Sequence, residues 1–435
     1  MDYNEIRKLL YRHKDEVEAR VSSGIELYRK GNINLKITDK DGKEVTGAKV
    51  SFKQMTHEFQ FGANCFLLDE LSDNEKNEKY KEYFKELFNT ATVPFYWRDL
   101  EPEQGKPRYA KDSVKVYRRP APDLCLEWCE KNGITPKAHC VVYEGWQPLW
   151  LPNDVTEIKK LYEKRFVELS ERYKDRIKSW EVINETLCRC PSLFANQPDY
   201  VSWSLKMSEK YFPNNELIIN EYSRVIDLPV NAVRNPYYLL IKDCLNEGLR
   251  IDTVGLQYHM FYQKEEYAQK AQQNYDLLYL YALYDRLSEF NKPLQVTEVT
   301  IPCYSSEKEA EELQADIVEM LYKVWFSQRN MESVFYWNLV DGYAAFGGEG
   351  TNDGENYFRG GLVRHDFTKK PAYYRIYDLI HKQWQSEGKT ETVNGKATFR
   401  GFYGKYKVTV EANGKVVEKE LSLSKNAINT YSLEV

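Results

Sequence analysis

The sequence predicts an α/β fold, a closed (β/α)8 TIM barrel with a small accessory β-sandwich built from the N- and C-terminal segments. Short apolar strands alternate with longer helical stretches from residue 57 to residue 382, and eight such units can be counted. A doubly wound sheet usually has fewer strands and a Gly-rich first turn, which is missing here, so eight units favour a closed barrel. Alternating β patterns appear on both sides of this region.

The regions that flank the barrel are small. Residues 1–31 have the apolar spacing of one N-terminal helix that ends at Gly31, and residues 32–56 alternate about Asp41-Gly42 and predict a β-hairpin. Residues 386–435 hold four alternating segments, at 397–402, 406–411, 416–421 and 430–435. Because each piece is too small to bury a core alone, we expect the hairpin and the C-terminal β domain to form one sandwich beside the barrel.

Each barrel strand is predicted from a short apolar run bounded by polar or turn-forming residues. The eight predicted strands are Phe59–Phe66, Leu87–Val93, Thr135–Val142, Lys178–Asn184, Leu217–Tyr222, Thr253–His259, Leu294–Thr300 and Ser333–Leu339. Active sites of such barrels lie at the C-terminal ends of the strands, so the polar residues there carry most of the functional information.

Composition excludes several classes of function. Hydrophobic residues make up 42% of the chain, and no run approaches the ~20 apolar residues of a membrane span, so no membrane partner is expected. The net charge of -5 comes from 61 basic and 66 acidic residues spread along the chain, which predicts no nucleic-acid partner. The charged N-terminus has no apolar signal core, which predicts a cytoplasmic protein, or a secreted one if a signal has been removed. The oligomeric state is not predicted.

The cysteines indicate neither a disulfide framework nor a metal site. Eight cysteines in 435 residues are too few for a disulfide scaffold. The segment Cys188-Arg189-Cys190 has no matching second pair of ligands elsewhere in the sequence, so a zinc site is not expected. The sequence therefore predicts neither a metal ion nor another cofactor.

Two glutamates end apolar barrel strands. The fourth strand leads into Asn184-Glu185, and the seventh contains Thr297-Glu298. A buried carboxylate is costly, and cleavage of a glycosidic bond with retention needs one protonated and one ionised carboxyl group about 5 Å apart. Ion pairing of two such glutamates in loops is the simpler alternative. With polar residues at other strand ends, however, a pair of catalytic carboxylates is the better hypothesis, with Glu185 as acid/base and Glu298 as nucleophile.

Further residues at the strand ends suit a sugar-binding site. A histidine next to a carboxylate can hold it ionised, and an indole gives a flat apolar surface for a sugar ring. Taken singly, such histidines are more often satisfied core residues. The predicted substrate-binding residues from these strand ends are His139, Tyr222, Gln257, His259 and Trp337.

These motifs resemble glycoside hydrolase family 10, the xylanase family, over about residues 57–382. Trp180-Glu181-Val182-Ile183-Asn184-Glu185 resembles its acid/base strand, and Thr297-Glu298 resembles its nucleophile strand. The segments that are similar to its other strand motifs are His139–Val142, Asn220–Tyr222, Gly255–His259, Trp337 with Asp341, and Lys370–Tyr374. The resemblance implies that Asn184 contacts the sugar 2-hydroxyl and that His259 contacts the nucleophile.

The sequence departs from the family where the family grips its sugar. Xylanases of the family end the second strand with Glu-Asn, followed after two residues by Lys, whereas Thr92, Val93 and Tyr96 occupy these positions. On the third strand Tyr143-Glu144 replaces Trp-His, and Ala345-Phe346 replaces a second tryptophan after the eighth strand. A site that binds sugar hydroxyls discriminates strongly, so Thr92, Tyr96 and Tyr143 should alter which glycone is accepted.

The prediction is therefore a retaining, xylanase-like glycoside hydrolase that acts on soluble β-linked oligosaccharides or small β-glycosides. One alternative is an exo-acting β-glycosidase that releases a mono- or disaccharide from a plant-type aglycone. The other, from a different class, is a catalytically inactive barrel that only binds carbohydrate. Each of them takes a carbohydrate or glycoside as its ligand.

Overall fold

The computed structural model describes residues 2–188, 192–223 and 235–435, and its centre is a closed barrel of eight parallel strands. The fold class predicted from the alternating pattern is confirmed. The barrel strands are β3 (Gln60–Asn64), β4 (Thr90–Pro94), β5 (Thr135–Val142), β6 (Ser179–Asn184), β7 (Glu216–Glu221), β8 (Thr253–His259), β9 (Leu294–Thr300) and β10 (Met331–Tyr336). They pair in chain order, and β10 closes the barrel on β3.

Helices surround the barrel. In the described residues these are α1 (Tyr3–Leu10), α2 (Lys14–Tyr28), α3 (Asn74–Leu87), α4 (Trp97–Leu100), α5 (Pro122–Asn132), α6 (Val155–Tyr173), α7 (Tyr200–Tyr211), α8 (Pro236–Asn246), α9 (Tyr267–Lys270), α10 (Gln272–Tyr275), α11 (Leu277–Ser288), α12 (Lys308–Ser327) and α13 (Pro371–Asp378). Short 3-10 turns at Glu144–Trp146 and Gly354–Phe358 and a π turn at Leu379–Gln383 complete them. No helix in these ranges is long and apolar enough to cross a bilayer.

Local sequence explains where the helices begin. The side chains of Asp73, Asp154 and Asn235 accept hydrogen bonds from main-chain N–H groups in the first turns of α3, α6 and α8. Every residue of β6 and β8 is buried, as expected for strands covered on both faces. Polar side chains in these strands are therefore shielded from solvent and need hydrogen-bond partners within the protein.

The predicted N-terminal hairpin is wrong. β1 (Lys30–Thr38) lies between β12 (Lys396–Phe402) and β15 (Thr430–Glu434), whereas β2 (Lys49–His57) lies between β11 (Glu387–Glu391) and β13 (Gly404–Ala412) in a second sheet that β14 (Lys415–Leu423) completes. β1 and β2 each have one apolar face. When the two strands lie in sheets that pack against each other, both apolar faces are buried, whereas an isolated hairpin would leave its apolar face exposed. The N- and C-terminal segments thus form two sheets, as expected for the sandwich, but by pairing with each other.

The core of this sandwich is separate from that of the barrel. Phe52 and Phe399 stack with ring centroids 3.8 Å apart between the sheets. Its buried aliphatic and aromatic residues include Ile33, Leu35, Ile37, Val50, Tyr406, Val408, Val410 and Leu423. Strand β11 forms the edge of the sheet that contains β2. The sequence pattern did not reveal this strand, because its residues are intermediate or exposed and none of them is a large apolar residue.

The N-terminal segment is two helices, not the single predicted helix. α1 ends at Leu10, and the chain turns through Tyr11–His13 before α2 begins. The turn lets both helices bury apolar side chains, Ile6 and Leu10 from α1 and Val17 and Val21 from α2. Arg29, buried after α2, donates hydrogen bonds to the main-chain oxygens of Phe326, Gln328 and Met331 and so fastens this segment to the N-terminal end of β10.

Candidate active site

A cavity of about 220 Å³ opens among the C-terminal ends of the barrel strands. Ten of the predicted site residues, all except Thr92, line it: Tyr96, His139, Tyr143, Asn184, Glu185, Tyr222, Gln257, His259, Glu298 and Trp337. Loops add Arg118, Arg119, Trp146, Phe261, Ala345, Phe346 and Glu355. Thr92 lies deeper in β4, is 2% exposed, and its hydroxyl has no hydrogen-bond partner in the part of the chain that is described.

Glu298 is buried on β9 and is surrounded by nitrogen atoms. His259 Nε2 lies 3.1 Å from Oε2, and the amide of Asn220 donates to Oε1 over 3.3 Å. Thr300 Oγ1 lies 2.9 Å from the other nitrogen of His259 and can donate to it, which leaves the Nε2–H group to face Glu298. His139 Nδ1 is 4.0 Å from Oε1. These contacts orient the carboxyl group of Glu298 towards the cavity.

Glu185 follows the last residue of β6 in a left-handed conformation, with φ of 54°. Tyr143 donates its hydroxyl hydrogen bond to Oε2 over 2.7 Å, and the amide of Gln257 donates to Oε1 over 2.9 Å. Glu221, at the end of β7, accepts hydrogen bonds from Thr186 Oγ1 (2.9 Å) and from the Leu187 main-chain nitrogen (3.0 Å). A sparsely populated backbone conformation held by its surroundings is typical of functional sites.

A relay of side-chain amides joins the two carboxyl groups. Asn220 Nδ2 donates to Asn184 Oδ1 over 2.8 Å while also reaching Glu298, and Gln257 Nε2 reaches Asn184 Oδ1 over 3.4 Å while donating to Glu185. Thr297 Oγ1 donates to Asn220 Oδ1 over 2.6 Å and fixes the amide orientation. Strand register explains the proximity, since Asn184 pairs with Asn220 and Gln257 pairs with Glu298.

A buried charge network lies below this relay. Glu181, which is fully buried on β6, accepts hydrogen bonds from Lys137 Nζ and His139 Nδ1 on β5. Burial by itself would raise the pKa of Glu181, but the two cationic neighbours hold it at about 2. Burial likewise lowers the pKa of His139, but the charge of Glu181 outweighs it and the pKa is raised. His139 therefore brings positive charge close to Glu298.

The protonation of Glu298 is set mainly by its burial. Desolvation raises the pKa of Glu298 to about 8, against the opposing charge of His139. Desolvation also lowers the pKa of His259 to about 4, so this imidazole is neutral near pH 7. The positive charge that favours ionised Glu298 thus comes from His139 and, to a smaller extent, from Lys137. His259 contributes a hydrogen bond rather than the charge expected from sequence.

Aromatic rings form one wall of the cavity. Trp337 lies edge to face with Phe66, His139 and His259, at centroid distances of 5.3, 6.1 and 5.7 Å. Its indole nitrogen donates to Glu355 Oε2 over 3.1 Å, which fixes the ring plane. An indole held in this way leaves a flat surface on which the apolar face of a sugar can stack.

Tyr96, which stands where the family has a lysine, belongs to the same wall. Its hydroxyl lies 2.9 Å from His139 Nε2, and its ring centroid lies 4.0 Å from the guanidinium carbon of Arg119. Tyr143 and Trp146 stack against each other at 6.0 Å and extend the wall outwards. Relative to the lysine of the family, Tyr96 therefore replaces a flexible cation by a rigid aromatic ring that contacts His139 and Arg119.

Sequence reasoning missed several residues of the site. Lys137 and Glu181 carried a signal, since both are charged residues within otherwise apolar strands. Arg118, Arg119 and Glu355 carried none, because they lie in long loops whose path only the tertiary structure reveals. Of the two cysteines in the Cys188-Arg189-Cys190 segment, Cys190 lies outside the described residues, as does Arg189.

One group of side chains within the described ranges has the donor atoms for a metal ion, namely His139, Glu181 and Glu298, whose ligand atoms lie within 4.8 Å of one another. The ammonium group of Lys137 already contacts the Glu181 carboxylate, and a second cation there would meet direct repulsion. The chemistry of the cluster therefore favours an ion pair over a metal centre.

Comparison with known proteins shows the family of the chain. The profile of glycosyl hydrolase family 10 matches residues 53–379. The anti-sigma-I factor RsgI6 of Acetivibrio thermocellus is 26% identical in an alignment that covers 89% of this chain and 46% of the relative. Endo-1,4-beta-xylanase 2 of Arabidopsis thaliana is 24% identical in an alignment that covers 88% of this chain and 33% of the relative. The chain thus spans between a third and a half of these curated relatives.

Solved structures share the fold. Xylanase 10B of Thermotoga petrophila, crystallised with xylobiose, superposes with a TM-score of 0.59 at 22% identity, over 75% of this chain and 95% of that one. The family 10 protein of Paenibacillus barcinonensis has a TM-score of 0.57 at 19% identity, over 74% and 95%. With a profile match across most of its length, the chain belongs to glycosyl hydrolase family 10.

Proposed function

We propose that the protein is a retaining glycoside hydrolase that cleaves β-glycosidic bonds of soluble oligosaccharides or small β-glycosides by double displacement. The observation that carries the proposal is the cavity, which is lined by Glu185, directly after β6, and by Glu298, near the end of β9. The two carboxyl groups are connected by hydrogen bonds through Asn184, Asn220 and Gln257. Paired carboxyl groups on strands that open into one cavity are the machinery of this reaction.

In the first step, an oxygen of ionised Glu298 attacks the anomeric carbon, and the bond from that carbon to the leaving oxygen breaks. Glu185 donates its proton to the leaving oxygen, so that a glycosyl ester on Glu298 and a free alcohol result. In the second step, Glu185 takes a proton from water, and the water oxygen displaces Glu298 with net retention.

The surrounding groups have separate roles in this mechanism. Asn184 is placed to bind the 2-hydroxyl of the reacting sugar, because its amide lies between the two carboxyl groups. Tyr143 and Gln257 position the acid/base, and His259 and Asn220 position the nucleophile. Trp337 supplies the floor on which the sugar stacks.

A mechanism-based inhibitor tests the nucleophile. A 2-fluoro glycosyl fluoride is expected to form a stable ester on Glu298, which peptide mass spectrometry locates. Labelling of another carboxyl group would contradict the assignment. Glu298→Gln and Glu185→Gln should each abolish turnover of oligosaccharides, whereas the matched control Glu144→Gln should retain it, because Glu144 is buried near the same barrel mouth but does not line the cavity.

Product analysis separates the competing activities. Endo-acting cleavage of xylohexaose gives several intermediate oligomers, whereas an exo-acting β-glycosidase releases one mono- or disaccharide and prefers aryl β-glycosides. A barrel that only binds carbohydrate would turn over neither substrate, and no variant of Glu185 or Glu298 would then change a rate. The altered residues Tyr96 and Tyr143 support screening several glycones rather than xylose alone.

A further inference from the structure

Arg118 lines the cavity, and only one of its three guanidinium nitrogens donates a hydrogen bond to a described residue. Its side chain is 2% exposed, and Nη1 donates to the main-chain oxygen of Tyr343. Nε and Nη2 have no hydrogen-bond partner among residues 2–188, 192–223 and 235–435. Two donors of one cation are thus buried at the wall of the cavity and unpaired, an arrangement that costs free energy unless a ligand completes it.

The other buried arginines among the described residues do not share this unpaired edge. Arg29, Arg108 and Arg165 are buried to a similar degree, and in each of them both Nε and Nη2 donate to main-chain oxygens. Arg119, next in sequence to Arg118, is paired through Nε with Asp99 over 2.7 Å. Among the buried arginines of the described ranges, the unpaired Nε/Nη2 edge is therefore found at one that lines the cavity.

Nε and Nη2 form the edge of a guanidinium group that binds a carboxylate side-on, with two parallel hydrogen bonds. The chain itself contains such a contact, since Arg364 holds Glu311 through the same two nitrogens over 2.8 and 2.5 Å. A sugar hydroxyl offers one oxygen and satisfies one of the two donors. The geometry of the free edge therefore matches a carboxylate better than it matches a neutral sugar.

The positive charge of Arg118 is not neutralised by an ion pair among the described residues. No carboxylate within the described residues lies close enough to Arg118 to form an ion pair. Glu355 exerts the largest charge effect on Arg118, but its Oε2 already accepts hydrogen bonds from Trp337 and Asn338 over 3.1 Å each. The guanidinium carbon of Arg118 also lies 5.6 Å from the ring centroid of Phe66, which is edge to face with Trp337, so Arg118 belongs to the cavity wall next to the sugar floor.

We propose that the sugar bound over Trp337 carries a carboxylate, as a hexuronic acid does, and that Arg118 binds this carboxylate through Nε and Nη2. The proposal rests on the hydrolase function proposed above and specifies its glycone. It makes Arg118 a specificity-determining residue, since a single hydroxyl of a neutral sugar leaves one of the two buried donors unpaired, whereas a carboxylate pairs with both.

Turnover of two aryl glycosides tests the proposal. The measured quantity is the ratio of kcat/KM for 4-nitrophenyl β-D-glucuronide to that for 4-nitrophenyl β-D-glucoside. A side-on, charge-assisted contact predicts a ratio above about 10 for the wild type and a fall of about 10- to 100-fold in Arg118→Met. A wild-type ratio of one or less would overturn the proposal.

Arg98→Met is the matched control, because Arg98 lies against Trp146 but both of its edge nitrogens already donate to main-chain oxygens. Its ratio should equal that of the wild type, and an equal fall in both variants would contradict a specific role for Arg118. Should Arg118→Met fail to fold, Arg118→Lys keeps the cation and removes the fork, and a wild-type ratio in that variant would also contradict the proposal.

A binding measurement makes the outcome independent of turnover. Calorimetric titration of Glu298→Gln with methyl β-D-glucuronide and methyl β-D-glucoside should show at least about tenfold tighter binding of the glucuronide, lost when Arg118→Met is added. If that preference is found but the wild type hydrolyses neither aryl glycoside, only the proposed hydrolase function fails. If the two methyl glycosides bind equally, the carboxylate site is excluded even in an active hydrolase.

Discussion

Replacing Glu181 by glutamine perturbs the buried charge network beneath the site. The carboxylate has a pKa of about 2 in the folded protein against an ordinary value of 4.5, because Lys137 and His139 are hydrogen-bonded to it. The difference corresponds to about 3 kcal/mol of folding free energy at neutral pH. Glu181→Gln should lose at least this amount, since it also leaves two buried cations without their anion.

The sign of the pH dependence follows from the lowered pKa. The stabilisation by Glu181 is fully present above pH 4.5 and is lost as the pH falls towards 2, where the folded protein also binds the proton. The difference between the wild type and Glu181→Gln should therefore be large at neutral pH and should shrink on acidification below pH 4.5. For 435 residues, 3 kcal/mol corresponds to a fall in Tm of about 3 °C.

Thermal unfolding followed by tryptophan fluorescence, at several pH values from neutral to acidic, provides the measurement. Glu144→Gln is the control, since burial raises the pKa of Glu144 to about 7 and its removal should not destabilise the protein through lost charge. The double variant Lys137→Met with Glu181→Gln should recover part of the loss, because the unpaired ammonium group is gone. A loss of Tm that is independent of pH, or no larger than in the control, would refute the ion-pair explanation.

Three further predictions concern the proposed nucleophile, the proposed acid/base and the N-terminal segment. Because burial raises the pKa of Glu298 to about 8, kcat/KM should already fall on acidification below about pH 8, and a pH profile with an acid limb at 4.5 would contradict this. Tyr143→Phe removes the hydrogen bond to Glu185 and should lower kcat/KM about 10- to 100-fold for poor leaving groups; an equal loss with 4-nitrophenolate would argue against a role in proton donation. Arg29→Met leaves three buried carbonyl oxygens without their donor and should lower the free energy of unfolding, measured in urea, by about 3 kcal/mol or more. The control Lys160→Met removes an exposed ion pair and should leave the free energy of unfolding nearly unchanged.

The elements of the fold that depend on local patterns were predictable. All eight barrel strands were predicted, most ends within two or three residues, because a buried strand is a short apolar run with polar ends. The positions of Glu185 and Glu298 at strand ends followed from the same pattern. Strand pairing in the sandwich was not predictable, since β1 and β2 pair with strands more than 300 residues away, and a nearby turn signal at Asp41-Gly42 suggested a hairpin instead.

The sequence by itself determined the barrel and the family and placed the two proposed catalytic glutamates on barrel strands, since these features are expressed in the order and spacing of residues along the chain. The tertiary structure alone decided which groups surround those carboxylates. Strand register brings Lys137 and His139 to Glu181, and loop packing buries Arg118 with one edge unpaired. Such contacts join residues far apart in sequence, and burial, which only the folded chain creates, sets both their pKa values and the cost of leaving them unpaired.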